Sequence, residues 1–487
     1  MESKNKKIGI IFMILQAVAT VWLLLSVYRL GMLPGNYFLA LSVVLALVFL
    51  LCLFVELKGK RKKIIVKIIS GILTIAMVAA SFFVNEAATA MERIADVSEE
   101  MIQIDTVVVA VLAKDSAETL EDAAHYKFGV QYSLKGEEIK ETVAAIKEEL
   151  EKSIDTKEYL NIQEQLSGIF SGVVQAVIFN EAYMGILEEE FPEIETAIKI
   201  IYTKNIEKKV EIAQKQEEVQ VEEETFIVYI SGIDVYGSIK KTSRSDVNIL
   251  AVVNPNTRQI LLITTPRDYY VEFPGVTGGQ RDKLTHAGIY GVDVSMATLG
   301  QLYGIEPDFY ARVNFTSLVE MVDALGGIDV YSEYAFTRSE VSVSKGMNHF
   351  NGKEALAFSR ERYQLPGGDF QRGKNQQAVI TAMIQKATSP AILKGATGIL
   401  ASISGSVDTN MSIEQIQELV KEQLANPVSW DITSIAAEGK GDSQRCYSMP
   451  GRSLYVAWPV EESVNNIKLA IGMVKEGRSL KDVVGAE

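Results

Sequence analysis

The chain has 487 residues and carries 48 Lys/Arg against 62 Asp/Glu, a formal charge of −14. The imbalance is uneven: residues 1–84 hold ten Lys/Arg and two Asp/Glu, so the remaining 403 carry 38 basic against 60 acidic side chains. A basic, apolar head on a long acidic body excludes a simple soluble enzyme. A multi-pass transporter is excluded too, because the long apolar runs stop before residue 85, and a nucleic-acid binder would need a net basic face.

Three apolar runs open the chain, Ile8–Tyr28, Tyr37–Val55 and Ile64–Val84. Each is long enough to cross a hydrocarbon core of about 30 Å as a helix. Lys67 is the one charge within them, near an end where it can snorkel. Lys4, Lys6 and Lys7 precede the first run, and Lys58, Lys60, Arg61, Lys62 and Lys63 separate the second from the third. The positive-inside rule puts those segments in the cytoplasm and delivers everything from about residue 85 onward outside. Residues 1–84 are thus read as a three-helix membrane anchor in a plasma membrane.

Residues 85–100 read as a polar continuation of the third helix. A small α+β accessory domain with its linker occupies 85–224. It opens with a buried strand at Ile104–Leu112 (IDTVVVAVL), followed by helical stretches at Glu137–Lys152 and Tyr159–Met184. The Glu/Lys/Gln-rich segment 207–224 reads as a linker or solvated edge. From residue 225 to 487 apolar strands alternate with helices, which predicts a layered α/β domain. Strands are expected at Phe226–Ile233, Val247–Val253, Ile260–Thr264, Phe309–Val313, Ile328–Tyr331 and Trp430–Ala436. Helices are expected at Asp293–Tyr303, Thr316–Leu325, Lys353–Glu361, Phe370–Lys386, Ile413–Leu424 and Val460–Lys475.

Cys52 lies in an apolar run and Cys446 far away in the acidic body, which excludes a disulfide scaffold and a Cys-ligated zinc site. His125, His286 and His349 are scattered with no metal spacing. His286 and His349 read as ordinary loop or surface residues.

The informative residues sit at element boundaries. Asp234 ends one strand; Arg244 and Asp246 open the next; Arg267 follows the third. Arg360 and Arg362 end a helix, and Gly367-Gly368-Asp369 opens another that carries Arg372 and Gln376. Strand ends are where α/β domains hold ligands. Guanidinium groups grip phosphate oxygens bidentately and stay charged, so the pattern suits a pyrophosphate. Asp246 and Asp234 are hard oxygen ligands suited to Mg²⁺. The same carboxylates are equally able to orient the arginines or to accept a proton from an attacking hydroxyl. Taken singly, each residue has a plainer reading: a surface ion pair worth about 0–1 kcal/mol, a turn cap at Asp246, a helix cap at Asp369. Their clustering at element boundaries favours the site.

In this setting residues 225–390 resemble the LytR-CpsA-Psr (LCP) family. The matching segments are TSRSDVNILAVVNPNTRQILLITTPRDYYVEF (242–273), DKLTHAGIYG (282–291), LVEMVDALGGIDV (318–330), FNGKEALAFSRERY (350–363) and GGDFQRGKNQQAVI (367–380). With three spans and an intervening domain, the chain looks like the capsule-locus CpsA type. The resemblance implies an α/β/α sandwich with an apolar pocket for a prenyl tail and arginines at its mouth. It implies an Mg²⁺- or Mn²⁺-dependent phosphotransferase of a Gram-positive envelope, moving a capsular polysaccharide or related glycopolymer from undecaprenyl pyrophosphate to peptidoglycan. Other capsule-assembly membrane proteins are implied neighbours. Carried onto this chain, Asp246 and Arg267 match the central metal and pyrophosphate positions. Arg244, Arg360, Arg362, Arg372 and Gln376 match the remaining head-group residues, and Asp234 and Asp369 the acidic positions. The helices between 284 and 325 offer walls for the lipid pocket, though any core would show the same pattern. A membrane regulator of capsule synthesis and a polyprenyl-pyrophosphate pyrophosphatase are the alternatives.

Overall fold

The computed structural model describes residues 2–58, 63–99, 102–209, 219–233, 238–338, 340–389 and 407–480. Three long helices come first: α1 (Glu2–Leu30), α2 (Gly35–Lys58) and α3 (Lys63–Glu99). All three are long and apolar enough to cross a membrane, and α3 runs on through the polar stretch after residue 84. Apolar faces alone give little reason for helices to associate in lipid, so polar pairs between them matter. Ser70 Oγ donates to Gln16 Oε1 at 2.7 Å, and Asn85 Nδ2 donates to Ser26 Oγ at 2.8 Å. Lys67 lies 3.6 Å from Glu56 of α2.

A five-stranded sheet follows. Its elements are β1 (Ile102–Leu112), β2 (Lys127–Val130), α4 (Gly136–Glu149), β3 (Asp155–Glu158), α5 (Ile162–Phe170), β4 (Ala176–Asn180), α6 (Met184–Glu190), α7 (Ile194–Ala197) and β5 (Ile198–Lys209), with strand order β3-β2-β4-β1-β5. The unbroken apolar run of β1 has a simple cause. Val107, Val109 and Val111 enter one core while Val108 and Ala110 enter another on the opposite face. The single helix expected over Tyr159–Met184 is not formed. It breaks after Phe170, where Gly172 takes a φ of 75°, and Ala176–Asn180 becomes a fully buried strand between β2 and β1. A short apolar run such as AVIFN carries no period that separates a buried strand from a buried helix. The expected linker at 207–224 lies partly outside the described residues; Val221 within it is buried.

The third unit is built on a six-stranded sheet. In chain order its elements are β6 (Phe226–Ile233), β7 (Ser245–Asn254), β8 (Gln259–Thr264), β9 (Tyr270–Glu272), β10 (Arg281–Lys283), α8 (Leu284–Tyr290), α9 (Val292–Tyr303), β11 (Phe309–Val313), α10 (Phe315–Ala324), β12 (Ile328–Ser332), β13 (Phe336–Arg338), β14 (Val341–Val343), β15 (Gly346–Phe350), α11 (Gly352–Arg360), α12 (Asp369–Ala387), β16 (Asp408–Thr409), α13 (Ile413–Ala425), β17 (Asp431–Ala436), β18 (Gly439–Cys446), β19 (Met449–Pro459) and α14 (Glu461–Lys475). The order β16-β11-β6-β7-β8-β17 makes a sheet with a central antiparallel meander and parallel neighbours on both sides. On one face α9 and α14 bury Leu299, Tyr303, Ile467 and Ile471 against Tyr229, Leu250 and Leu261. On the other, α12 lays Ile380 and Ile384 over Ile249 and Leu262. The result is the expected α/β/α sandwich.

Two further packings place this unit. The β18–β19 hairpin sends Cys446, Met449, Leu454 and Val456 into the same core as Leu166, Ile186 and Leu187 of the five-stranded unit. Helix α13 starts with a Ser412–Gln415 capping box and rests Ile413, Ile416 and Val420 against Leu30 and Met32 at the end of α1 and against Ala87 and Ala88 within α3. Gln417 Nε2 donates to the Leu30 carbonyl at 3.0 Å.

Candidate active site

The meander puts the start of β7 beside the end of β8, so Asp246 and Arg267 meet at one edge of the sheet. Arg267 Nη1 donates to Asp246 Oδ2 at 2.9 Å, and Thr285 Oγ1 donates to Asp246 Oδ1 at 3.0 Å. Only 13% of the Arg267 side chain and 16% of the Asp246 side chain are accessible. Burial opposes charge on Asp246. The guanidiniums of Arg267, then Arg244 and Arg372, outweigh it and hold the carboxyl well below the usual carboxylate range.

A second chain of charges runs away from this pair. Lys283 Nζ lies 3.3 Å from Asp268 and donates to Glu189 at 2.8 Å, while Asp268 is 3.9 Å from Arg267 Nε. Burial disfavours the Lys283 ammonium, yet Asp268 and Glu189 together raise its pKa above the ordinary lysine value.

The other arginines come from the helical layer. A capping box between Asn351 and Glu354 starts α11, which ends at Arg360. The Arg360 guanidinium sits 4.1 Å from the centroid of Phe315, the first residue of α10, and that of Arg362 4.6 Å from the centroid of Tyr363. Arg338 of β13 donates to the Arg360 carbonyl at 3.0 Å and to Glu361 at 3.2 Å, which fixes the corner. Gly367 and Gly368 take positive φ and turn the chain into α12, on which Arg372 and Gln376 stand one turn apart.

These groups line one cleft of about 720 Å³. Among the described residues Arg244, Arg267, Arg338, Arg360, Arg362 and Arg372 all border it, together with Asp246 and Gln376. Its apolar side is made by Ile230, Val247, Phe315, Leu318, Leu356 and Ile380. A third wall comes from the five-stranded unit through Gly185, Glu188, Glu189, Pro192 and Glu195. The arrangement can hold a diphosphate against the arginines with an attached hydrocarbon chain along the apolar side.

No group of three or more His, Cys, Asp or Glu that could cage a metal is found among the described residues. Asp268 and Glu189 on the cleft are engaged by Lys283, whereas Asp246 faces the arginines with hard oxygens that each accept one hydrogen bond and keep a lone pair. A single carboxylate ringed by arginines fits a cation such as Mg²⁺ that shares its coordination with substrate phosphates, as Mg²⁺ commonly does. Asp234 lies outside the described residues. Asp369 is the first residue of α12, and its side chain is also outside them.

Comparison with known proteins shows the family. The sequence profile of the LytR_cpsA_psr family matches residues 195–458, more than half of the chain. The chain belongs to the LytR-CpsA-Psr family. It is 35% identical over 207 residues to the Bacillus cereus polyisoprenyl-teichoic acid–peptidoglycan teichoic acid transferase TagU, covering 42% of this chain and 67% of that relative. The Enterococcus faecalis protein of the same name is 32% identical over 223 residues, covering 45% and 73%. Among solved structures, Bacillus subtilis TagU aligns with 53% of this chain and 98% of its own at 28% identity and a TM-score of 0.40.

With the LCP family established, the remaining differences from the sequence reading are local. Arg338 and Lys283 were missed. Arg338 sits in a short edge hairpin with no flanking pattern, and Lys283 precedes a helix where a solvated lysine reads the same. Helices α8 and α9 do not border the cleft; of the stretch 284–325 it is α10, with Phe315 and Leu318, that does. His286 is neither loop nor surface. It is fully buried on α8, with Nδ1 2.7 Å from Asp282 and 3.0 Å from Ser448 Oγ. His349 is exposed on β15 and pairs with Asp329 at 2.8 Å.

Proposed function

We propose that this chain is a glycopolymer–peptidoglycan phosphotransferase that acts outside the cell. Its donor is a polyprenyl-diphosphate-linked glycopolymer, a capsular polysaccharide or a related polymer, and its acceptor is a peptidoglycan sugar hydroxyl. The observation that carries this reading is the convergence of six arginines and Asp246 at the polar end of a cleft whose other side is apolar. The transferase activity for which the TagU relatives are named supports the reaction class. The basic residues flanking the first three helices support an orientation with the N-terminus cytoplasmic.

In the reaction, the acceptor oxygen forms a bond to the sugar-side phosphorus. The bond from that phosphorus to the bridging oxygen breaks, polyprenyl phosphate departs, and the hydroxyl proton passes to a base. Arg267, Arg360 and Arg362 bind the diphosphate and stabilise the charge that grows on the leaving phosphate. Asp246 would hold Mg²⁺, which neutralises phosphate charge when bound. Thr285 and Arg267 keep the Asp246 carboxylate aimed and ionised. Asp234 or Asp369 is the proposed proton acceptor. Arg244, Arg372 and Gln376 complete the head-group contacts.

The test is incubation of the full chain in detergent with a polyprenyl-diphosphate-linked sugar, Mg²⁺ and peptidoglycan fragments. Sugar phosphate linked to the acceptor, and lost in Arg267→Ala, is the expected result. Phosphate release without linkage would mean a pyrophosphatase. Lipid binding with neither outcome would mean a sensor.

A further inference from the structure

The wall of the cleft that comes from the five-stranded unit has no assigned part in the chemistry. It is more than a neighbour. Helix α6 is held in place by apolar packing, with Ile186 and Leu187 fully buried in a core shared with Leu454 and Val456 of the β18–β19 hairpin. Its position relative to the arginines is therefore set by the interface between the two units.

Two contacts lead from α6 into the head-group site. The Gly185 carbonyl accepts a hydrogen bond from Arg244 Nη1 at 3.1 Å. Glu189, one turn further on, accepts from Lys283, which in turn faces Asp268 beside Arg267. The first contact leaves no room for a side chain. A Cβ added at Gly185 would fall 2.3 Å from Arg244 Cζ and Nη2 and 2.6 Å from Nε. The guanidinium rests directly on the helix at the one position where no side chain intervenes. The atoms in the way belong to the far end of a flexible side chain, so a methyl group there would displace Arg244 and leave the backbone in place.

We propose that α6 is a working part of the diphosphate site, with Gly185 as the positioning residue that aims Arg244 at the ligand. This rests on the diphosphate reading of the cleft. Arg244 lies just ahead of β7 and is long enough to adopt many rotamers; the Gly185 carbonyl and the bare helix face select one. The site is then complete only when the five-stranded unit is docked against the sandwich, so that unit governs whether the head-group site can bind.

The experiment measures binding of farnesyl diphosphate with Mg²⁺ to the full chain in detergent, by calorimetry, for wild type, Gly185→Ala, Arg244→Ala and the double variant. Loss of one charge-assisted hydrogen bond corresponds to roughly tenfold weaker binding for Gly185→Ala. Alanine is the better helix former, so the thermal midpoint of this variant should not fall. The double variant should bind no more weakly than Arg244→Ala, because both changes act through one guanidinium. Wild-type affinity in Gly185→Ala overturns the proposal, as does a further loss when Gly185→Ala is added to Arg244→Ala. Failure of the wild type to bind farnesyl diphosphate removes instead the diphosphate reading on which the proposal stands.

Discussion

Replacing Asp246 by Asn keeps the side-chain shape and removes one charge from the centre of the arginine cluster. The carboxylate accepts from Arg267 at 2.9 Å and Thr285 at 3.0 Å, and both members of the ion pair are mostly buried. The amide oxygen can keep the Arg267 bond and the NH₂ can turn to the Thr285 hydroxyl, but the charge assistance is lost. A lost charge-assisted bond costs about 1.5–3 kcal/mol, and relief of the buried carboxylate returns part of it, so a net loss of about 2 kcal/mol is expected. For a unit of this size that corresponds to a fall in Tm of roughly 4–8 °C. The pH dependence has a definite sign. The folded carboxyl titrates below its unfolded value, so its contribution is fully present above the ordinary carboxylate range and is lost as pH falls through the depressed value. Thermal unfolding of wild type and Asp246→Asn in detergent should therefore differ equally at pH 7 and pH 5 and converge only in stronger acid. An unchanged Tm at pH 7, or a gap that closes between pH 7 and pH 5, would refute the reasoning.

Other outcomes are equally specific. Arg267→Lys should behave like Arg267→Ala in the transfer assay, with a loss of about 10²-fold or more, since an ammonium cannot grip Asp246 and a phosphate through one planar fork; recovery by Lys would contradict this. His286→Leu should remove one hydrogen bond from the buried Asp282 carboxylate, which keeps those from the Lys283 and Ser448 amides, and cost roughly 1–3 kcal/mol, read as a fall in Tm; an unchanged Tm would show that the two amides suffice. Ile416→Asp puts a charge into the cluster of Leu30, Ala87 and Ala88 and should loosen α13 from the anchor, seen as faster proteolysis around residue 99 with the sandwich intact. Unchanged cleavage would mean that this contact carries no energy.

Much of this architecture is legible in the residues. Apolar runs of spanning length, and strands whose ends carry Asp246 and Arg267, announce themselves because burial on two faces demands unbroken Val, Ile and Leu. Arg360, Arg362, Arg372 and Gln376 were legible because they flank a helix end and a Gly-Gly turn. What sequence could not supply is partnership across distance. Nothing near Gly185 in the chain signals that a guanidinium from residue 244 covers it, and nothing near His286 indicates that Ser448 closes over it. The β18–β19 hairpin was missed for a related reason. Much of its length is polar, and its few apolar residues are matched to a core belonging to residues some 270 positions earlier.

Under the proposed function, the seat of α13 on the end of α1 and on Ala87 and Ala88 of α3 bears on how the protein would meet its donor. A catalytic unit held by one tether sweeps a hemisphere and loses most of its encounters to orientation. A unit that also leans a distant helix on its own anchor gives up that swing and keeps its cleft at a constant height and heading above the bilayer. Encounter with the proposed lipid-borne donor would then be a search in two dimensions, governed by lateral diffusion of both partners in the same sheet of lipid.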